Sequence, residues 1–422
     1  MKDLTKILNV LFIVVTLTKT NGQYTTFSPY TRYGIGDINV DGPTFLKGLG
    51  GASTSFRQNN KINFCNPASY SEQDTLSFIF NFDLEISHQD FKSNTNKTSN
   101  KNFNISSISI GFPITKGFVF SAGITPYSRV GYNLIYEGIF ENNEYYNQYF
   151  EGKGGINRLF LGTGISLNKY LSMGVNASYI FGSIYHYRKV FVPPYDGSAL
   201  TIAKNESWHS GWLLNPGVQI IIPTKRLKFI GGISYELENK INYEKNSFVY
   251  SEYIETADSS SYNELGKIKI PEKLSAGISL MSKKLNFYFD YKIQKWSNST
   301  LYNESNYNDL KLISAGIEFT PIPLKEIKKS SYWERITFRA GCYQKNLYWQ
   351  INNKNLTENG ISFGVGLPWR NERRMLTNTS INITYNYIWR SKIENNLIKE
   401  NYHIINLNLS LYDFWFLKSK YD

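Results

Sequence analysis

The alternation of apolar and polar residues, over stretches of about ten residues, is the strongest constraint on this chain. It is clearest in residues 76–86, 171–181, 285–294 and 405–411. Successive side chains of a β-strand point to opposite faces of the sheet, so each stretch predicts a strand with one apolar and one polar face. No stretch of comparable length has the spacing of an amphipathic helix. The pattern therefore predicts an all-β fold.

Strand and connection lengths separate a membrane barrel from a soluble sandwich, which would also alternate. Many candidate strands reach the ten or so residues that a tilted strand needs to cross a bilayer. We count about fourteen between residues 75 and 416, and an even number suits a closed antiparallel barrel. We therefore expect a transmembrane antiparallel β-barrel over 75–416. Its connections alternate in length, the short ones near 113–117, 168–171, 223–228, 281–284 and 369–375, and the long polar ones near 87–103, 191–206, 248–270 and 392–401.

The first residues resemble a secretory signal peptide. Lys2 and Lys6 precede an apolar run over 7–17 that is too short to span a bilayer, and small residues follow before Gln23. We expect residues 1–22 to be a signal peptide and the protein to reach the outer membrane of a Gram-negative bacterium. Residues 417–422 would form a short periplasmic tail.

Residues 23–74 do not alternate cleanly and are rich in glycine and turn residues. The segment contains Gly50 and Gly51, and then Asn66, Pro67 and Ala68 just ahead of the first predicted strand. Such a segment can trail as a disordered arm or fold into the lumen. A barrel of about fourteen strands is wide enough to need filling, so we expect an N-terminal hatch that plugs it.

Charge and aromatic content fit a membrane barrel better than a nucleic-acid binder. The formal net charge is +12, but the basic residues are spread over many predicted turns and not gathered on one stripe. We expect no nucleic-acid partner. Aromatic residues make up 16% of the chain, and the tryptophans near predicted strand ends suit the aromatic girdles of a barrel: Trp212, Trp296, Trp333, Trp369, Trp389 and Trp415.

No group of residues predicts catalysis. None of the four histidines forms a recognisable catalytic or metal-binding signature with a serine or a second ligand, so we expect no enzyme activity, no metal site and no cofactor. Asp83, Glu85 and Asp290 alternate with apolar residues and are predicted to face the lumen. Two cysteines without a spacing pattern leave their pairing open.

Several motifs, in order along the chain, resemble the FadL-type outer-membrane transporters of long-chain fatty acids and other hydrophobic compounds. Residues 50–53 with 66–68 resemble the hatch of that family, and 270–278 with 285–297 its most typical hairpin. Residues 339–341 resemble the next recurring strand motif. Residues 28–37 are similar to the opening of a less studied branch. The resemblance implies fourteen strands, a hatch and no enzyme activity.

Pro126 interrupts the third predicted strand, five residues before Gly131. Proline has no backbone N–H to donate to a neighbouring strand, so the strand must bulge or bend there. In the family that the chain resembles, a kink in this strand opens a gap in the wall through which a ligand leaves sideways into the bilayer. The alternative is a proline at the rim with no such role.

Two functions follow from these expectations. The first is passive uptake of hydrophobic small molecules, with lateral exit at Pro126 and Gly131 and with Asn66, Pro67 and Ala68 shaping the plug. The second is a non-enzymatic barrel subunit or partner of an outer-membrane protein secretion or assembly complex. In both, the expected surroundings are outer-membrane lipid and lipopolysaccharide.

Overall fold

The computed structural model describes residues 25–39, 42–93, 96–139, 145–191, 201–251, 260–302, 307–322, 331–351, 354–369, 379–390 and 398–414. The predicted signal peptide over 1–22 and the predicted tail over 417–422 lie outside these ranges. Two residues of the predicted barrel, 415 and 416, lie outside them as well.

The described residues are mostly strands, numbered here in chain order. One short α-helix, α1 (Thr44–Lys47), and 3-10 turns at Pro29–Arg32, Pro67–Glu72, Trp296–Asn298 and Trp333–Arg335 complete the set. The strands are β1 Asp37–Ile38, β2 Ser77–Lys92, β3 Lys97–Thr115, β4 Phe118–Ile139, β5 Tyr145–Ser166, β6 Leu171–Phe191, β7 Thr201–Pro223, β8 Lys228–Glu236, β9 Asn239–Ser251, β10 Ser260–Ile270, β11 Lys273–Met281, β12 Leu285–Gln294, β13 Leu310–Phe319, β14 Thr337–Ile351, β15 Lys354–Pro368, β16 Ser380–Arg390 and β17 Lys399–Phe414.

None of the described helices is long and apolar enough to cross a membrane.

The sheet closes on itself. β2 pairs with β3 on one side and with β17 on the other, and each neighbouring pair is antiparallel. β8 and β9 are two halves of one long strand beside β7, and β10 and β11 are the two halves of the next. Pro271, which cannot donate to a ladder, lies at the second break. Counted this way, the described strands form the closed fourteen-stranded barrel that the alternation predicts. The two-residue strand β1 is not one of the fourteen wall strands.

The polarity of the two faces of the barrel is the reverse of that in a soluble protein. Polar side chains on the inward face are buried, among them Asn81, Ser109, Asn176, Gln219, Ser314, Asn382 and Asn408. Large apolar side chains on the outward face are exposed, among them Leu161, Met173, Ile220, Phe229, Ile278, Phe287, Ile317, Phe363 and Ile383. An apolar band of this extent is stable only against lipid, because water would not tolerate it.

The strands are longer than predicted, so strand residues lie within all four predicted long loops, including 392–401, where β17 begins at Lys399. Residues 87–103, expected to form a long loop, continue β2 to Lys92 and begin β3 at Lys97. Residues 191–206 and 248–270 likewise contain strand, since β7 begins at Thr201 and β10 at Ser260. In β2 the outward residues His88, Asp90 and Lys92 are polar, as are the buried inward residues Ser87 and Gln89, so the apolar–polar alternation disappears while the backbone pairing continues.

Part of the barrel wall extends well past the apolar band at the end opposite the short turns. β4 to β7 have 21 to 23 residues each, about twice what a bilayer crossing requires. We call this extension the projecting sheet; it comprises residues 132–139, 145–152, 185–191 and 201–208 with β9 and β10. Charged side chains such as Glu137, Lys189 and Glu244 are exposed on it, as expected outside lipid.

The apolar band predicts where a charge can be placed. Ile278 is 66% exposed in the middle of β11, and Leu265 is 75% exposed on the projecting sheet. Arginine near the bilayer midplane costs about 2 to 4 kcal/mol in such barrels. We expect Ile278→Arg to lower the stability of the barrel in lipid bilayers by that amount, measured by urea unfolding, and Leu265→Arg to change it little. Equal effects of the two substitutions would contradict the assigned band.

Candidate functional site

The acidic residues predicted to face the lumen lie on its inner surface and bind the N-terminal segment, residues 25–39 and 42–74. Asp290 accepts hydrogen bonds from the backbone N–H groups of Ser53 and Thr54, at 2.7 and 2.8 Å. Asp83 accepts the N–H of Thr44, at the start of α1, at 2.8 Å. Both carboxylates are fully buried, so these charge-assisted bonds hold the segment to the wall on two sides of the barrel.

Glu85 joins the N-terminal segment to β4. It forms an ion pair with Lys47 at 2.9 Å and contacts the Arg129 guanidinium. Lys47 also donates to Asn406 of β17 at 2.9 Å. It donates to Ser106 of β3 at 2.7 Å as well, so one lysine of the segment binds three different strands of the wall.

Gly50 and Gly51 lie where the segment passes closest to β14 and β15. Both have left-handed backbone conformations, with φ of 66° and 81°. A Cβ at Gly50 would fall 2.5 Å from the carbonyl oxygen of Cys342, so no other residue fits without a shift. The Gly50 N–H donates to Ser362 Oγ at 3.1 Å, and the Gly51 carbonyl accepts from Lys292 at 2.9 Å.

Asn66, Pro67 and Ala68 begin the 3-10 turn that closes the segment near the short-turn rim. The Asn66 side chain accepts the Ala68 N–H at 3.2 Å and donates to the Thr54 carbonyl at 2.8 Å. Proline suits the first position of the turn because a backbone N–H there would have no partner within the turn, and proline has none. Glycines in β5 and β6 let its carbonyl approach the wall: a Cβ at Gly164 would lie 2.5 Å from it.

Arg390 of β16 is a second anchor that the sequence did not single out. Its guanidinium donates to Glu358 and Glu400, each at 2.9 Å, and to the Ser28 hydroxyl at 3.1 Å, and it contacts Asp37. Burial raises the pKa of Asp37, but Arg390 and the nearby Lys345 outweigh it and hold that pKa below its usual value. The inward alternation of Asn382, Thr384 and Asn386 with Arg390 was the available signal; nothing in the sequence marked Asp37.

Apolar side chains fill the lumen towards the end opposite the short turns. The connection after β12 turns inward, so that Trp296 and Leu301 are fully buried, and Trp296 packs on Tyr348 with ring centroids 4.6 Å apart. The Tyr348 hydroxyl accepts the N–H of Ile35 at 3.1 Å. The prediction that Trp296 belongs to a girdle is therefore wrong, because the chain turns into the barrel after Gln294. Trp212, Trp333 and Trp369 are exposed, and Trp415 lies outside the described residues.

Pro126 lies where β4 stops pairing with β3 and begins to pair with β1. We call this place the β3–β4 seam. The β3–β4 ladder ends at Ile108 opposite Ile124, whereas the β4–β5 ladder continues to Ile139 with a bulge just after Pro126. Beyond the break, β1 pairs with β4 at Ser128 and Arg129. The N-terminal segment thus occupies the place beside β4 that β3 leaves.

Gly131 allows the N-terminal segment to lie this close to β4. Its backbone N–H donates to the hydroxyl of Thr31, and that hydroxyl donates to the Gly131 carbonyl, both at 3.1 Å. A Cβ at Gly131 would lie 1.9 Å from the Thr26 carbonyl oxygen. On the other edge of the seam, Asn104 of β3 donates to the Thr25 carbonyl at 3.0 Å.

A cavity of about 120 Å³ lies behind the seam. Thr125 and Pro126 form part of its edge, and its lining includes seven charged side chains: Asp37, Lys47, Glu85, Arg129, Lys345, Glu358 and Arg390. This volume holds about four water molecules and is below the 300 to 1,000 Å³ of typical small-molecule sites. Apolar side chains such as Ile38, Ile388 and Ile404 complete the lining, so the cavity suits water or a small group and is too small for a long-chain solute.

Lys61 predicts a pH dependence of the N-terminal segment. Burial and the nearby Arg339 lower its pKa to about 7, and its ammonium donates to Ser380 at 2.7 Å. Between pH 7 and the ordinary lysine value the unfolded chain binds more protons, so stability should rise with pH. We expect the urea midpoint to increase from pH 7.5 to 9.5, and to increase less in Lys61→Met. The exposed Lys284→Met is the control; the same pH dependence in all three proteins would contradict this.

Comparison with known proteins gives one family and one fold. The model of the BamG family matches residues 4–422, while a search of curated proteins finds no match. The structure is similar to the Pseudomonas putida toluene transporter TodX, with 13% identity over 89% of this chain and 99% of that one, and a TM-score of 0.60.

Two further solved barrels are similar over nearly their whole length. A FadL homologue of Pseudomonas aeruginosa shares 12% identity over 90% of this chain and 98% of that one, with a TM-score of 0.59. The CymD monoaromatic hydrocarbon channel shares 14% identity over 89% and 98%, with a TM-score of 0.56. At these identities the likeness establishes the FadL-type fold, which confirms the resemblance found in the sequence.

Proposed function

The chain belongs to the BamG family, and we propose that it is a filled outer-membrane barrel that serves as a non-enzymatic partner in a protein secretion or assembly complex. The observation that carries this proposal is the occupied lumen. Towards the short turns, ion pairs and hydrogen bonds join the N-terminal segment to the wall. Towards the opposite end, packed aromatic side chains such as Trp296 and Tyr348 are buried in the lumen. A barrel filled in this way offers its outer surfaces for function, not its interior.

The filled lumen would be costly to open. Arg390 alone binds two strands and two parts of the N-terminal segment, and removing one partner of a buried ion pair costs about 3 to 5 kcal/mol. Asp290 and Asp83 add charge-assisted bonds on other sides. We propose that residues 23–74 form a permanent hatch, with Gly50, Gly51 and residues 66–68 at its closest contacts with the wall.

The projecting sheet supports the partner role. It leaves large side chains exposed beyond the apolar band, among them Ile135, Tyr136, Tyr145, Phe248, Tyr250, Tyr262 and Leu265. Tyrosine and other aromatic residues are enriched at protein interfaces, and exposed apolar groups outside lipid favour a covering partner. The sheet is also a rigid, paired surface, so binding need not order a loop.

A site-specific photo-crosslinker tests this surface. We expect a crosslinker in place of Leu265 or Tyr262 to join the barrel in intact cells to one large outer-membrane partner in near-stoichiometric yield. The same crosslinker at Ile278, in the apolar band, should label lipid. Absence of a discrete adduct at both projecting positions, in a barrel that is present in normal amounts, would contradict the partner role.

The β3–β4 seam favours a second candidate, passive uptake of hydrophobic molecules with lateral exit. The wall loses its β3–β4 pairing next to Pro126, and among the described residues the N-terminal segment covers the break. If the segment withdrew, a solute in the lumen would reach lipid at this point. The small volume of the cavity and the charged side chains in its lining oppose this candidate, since covering a charge with an apolar solute is costly.

Pro126→Val separates the two candidates. Valine restores a backbone donor and favours continued β3–β4 pairing, so uptake through the seam should fall several-fold in cells given toluene or a long-chain fatty acid. Pro223→Val, at an exposed rim position of β7, is the matched control. Uptake that equals that of the unsubstituted protein in both variants, in folded barrels, excludes the seam as an exit.

A further inference from the structure

The outward face of β17, β2 and β3 changes character in successive rows. Ile405 and Ile86 lie opposite each other, and both are exposed within the apolar band. Two residues farther along each strand, His403 and His88 are opposite each other, with Lys101 beside His88 on β3. Each row lies about 6 to 7 Å from the previous one along the strands.

The last row consists of lysines on all three strands. Lys399 lies opposite Lys92, and Lys92 lies opposite Lys97. All three side chains are exposed, and none forms a salt bridge within the described part of the chain. Like charges directly opposite one another destabilise a sheet, so this row favours binding of an anion.

Nearby acidic groups do not neutralise the row. Asp90 lies in the row between, 3.7 Å from the nearer ring nitrogen of His88. The inward Glu400 of β17 is fully buried and bound to Arg390. The outward surface of these strands is therefore basic in two rows, the one with Lys101 and the one with Lys399, Lys92 and Lys97.

Aromatic side chains on the neighbouring strand fix the depth of this surface. Tyr385, Tyr387 and Trp389 of β16 lie beside Ile405, His403 and Asn401. Tyr387 stacks on Trp389 with centroids 5.6 Å apart, and the Tyr385 hydroxyl contacts His403 Nδ1 at 2.7 Å. Such a group suits the girdle where rings meet headgroups. The lysine row lies one row beyond Trp389, at headgroup depth.

We propose that Lys92, Lys97 and Lys399, with Lys101 and the two histidines, form a binding site for the phosphorylated headgroup of an outer-leaflet glycolipid, lipopolysaccharide. This inference rests on the proposed outer-membrane placement, with the short turns in the periplasm. Basic side chains attract the phosphates, while the adjoining apolar rows and aromatic side chains contact the acyl chains. A soluble phosphate would satisfy only the first of these contacts.

The test uses the purified full-length barrel in detergent with diphosphoryl lipid A as the probe. The triple variant Lys92→Gln, Lys97→Gln, Lys399→Gln should bind it roughly a hundredfold more weakly, since each lysine near an anionic surface raises the affinity about fivefold. The control triple Lys116→Gln, Lys225→Gln, Lys284→Gln removes the same charge at exposed short-turn positions, and should bind like the unsubstituted protein. Dephosphorylated lipid A should bind weakly to all three.

Two results would overturn the site. One is equal binding of lipid A by both triple variants. The other is full displacement of lipid A by inorganic phosphate at comparable concentration, which would assign the lysines to a free ion. Heat-modifiable migration of each variant in gels checks that the barrel is folded. Because the assay needs no partner protein, its failure and the failure of the partner role are distinguishable.

Discussion

The inward-facing polar side chains of a closed barrel must find partners inside it, and this requirement determines the interior of the protein. Asp83, Asp290 and Arg390 are buried far from solvent, where an unpaired charge would be very costly. The N-terminal segment supplies their partners through its backbone N–H groups, the Ser28 hydroxyl and Asp37. Wall and segment are therefore one folded unit, in which neither satisfies its polar groups alone.

The same requirement explains the β3–β4 seam. Past Pro126 the β4 edge would have exposed backbone groups without a neighbour, which lipid does not tolerate. β1 and Thr31 bind that edge in place of β3. The break in the β3–β4 pairing is thus covered from inside, and charged side chains line part of the small cavity behind it. These features favour a barrel that acts through its surfaces, with the projecting sheet on one side and the lysine row on the other.

The sequence predicted the barrel because alternation reports a physical difference between lipid and lumen. The alternation also predicts that Asp83, Glu85 and Asp290 face the lumen; these three carboxylates are buried and bind the N-terminal segment. It missed the extension of β2 and β3 through 87–103, since a strand with mostly polar residues on both its inward and its outward face carries no apolar–polar alternation. The inward turn that buries Trp296 and the pairing of Asp37 with the seam depend on contacts between residues far apart in the chain. No local pattern reports such contacts.

Ion conductance across planar bilayers tests the filled lumen most directly. The account predicts that the intact barrel gives no resolvable current steps, and that deletion of residues 25–73 gives large, stable ones. Large steps from the intact protein, equal to those of the deletion variant, would contradict it, because they would mean that the N-terminal segment does not close the barrel.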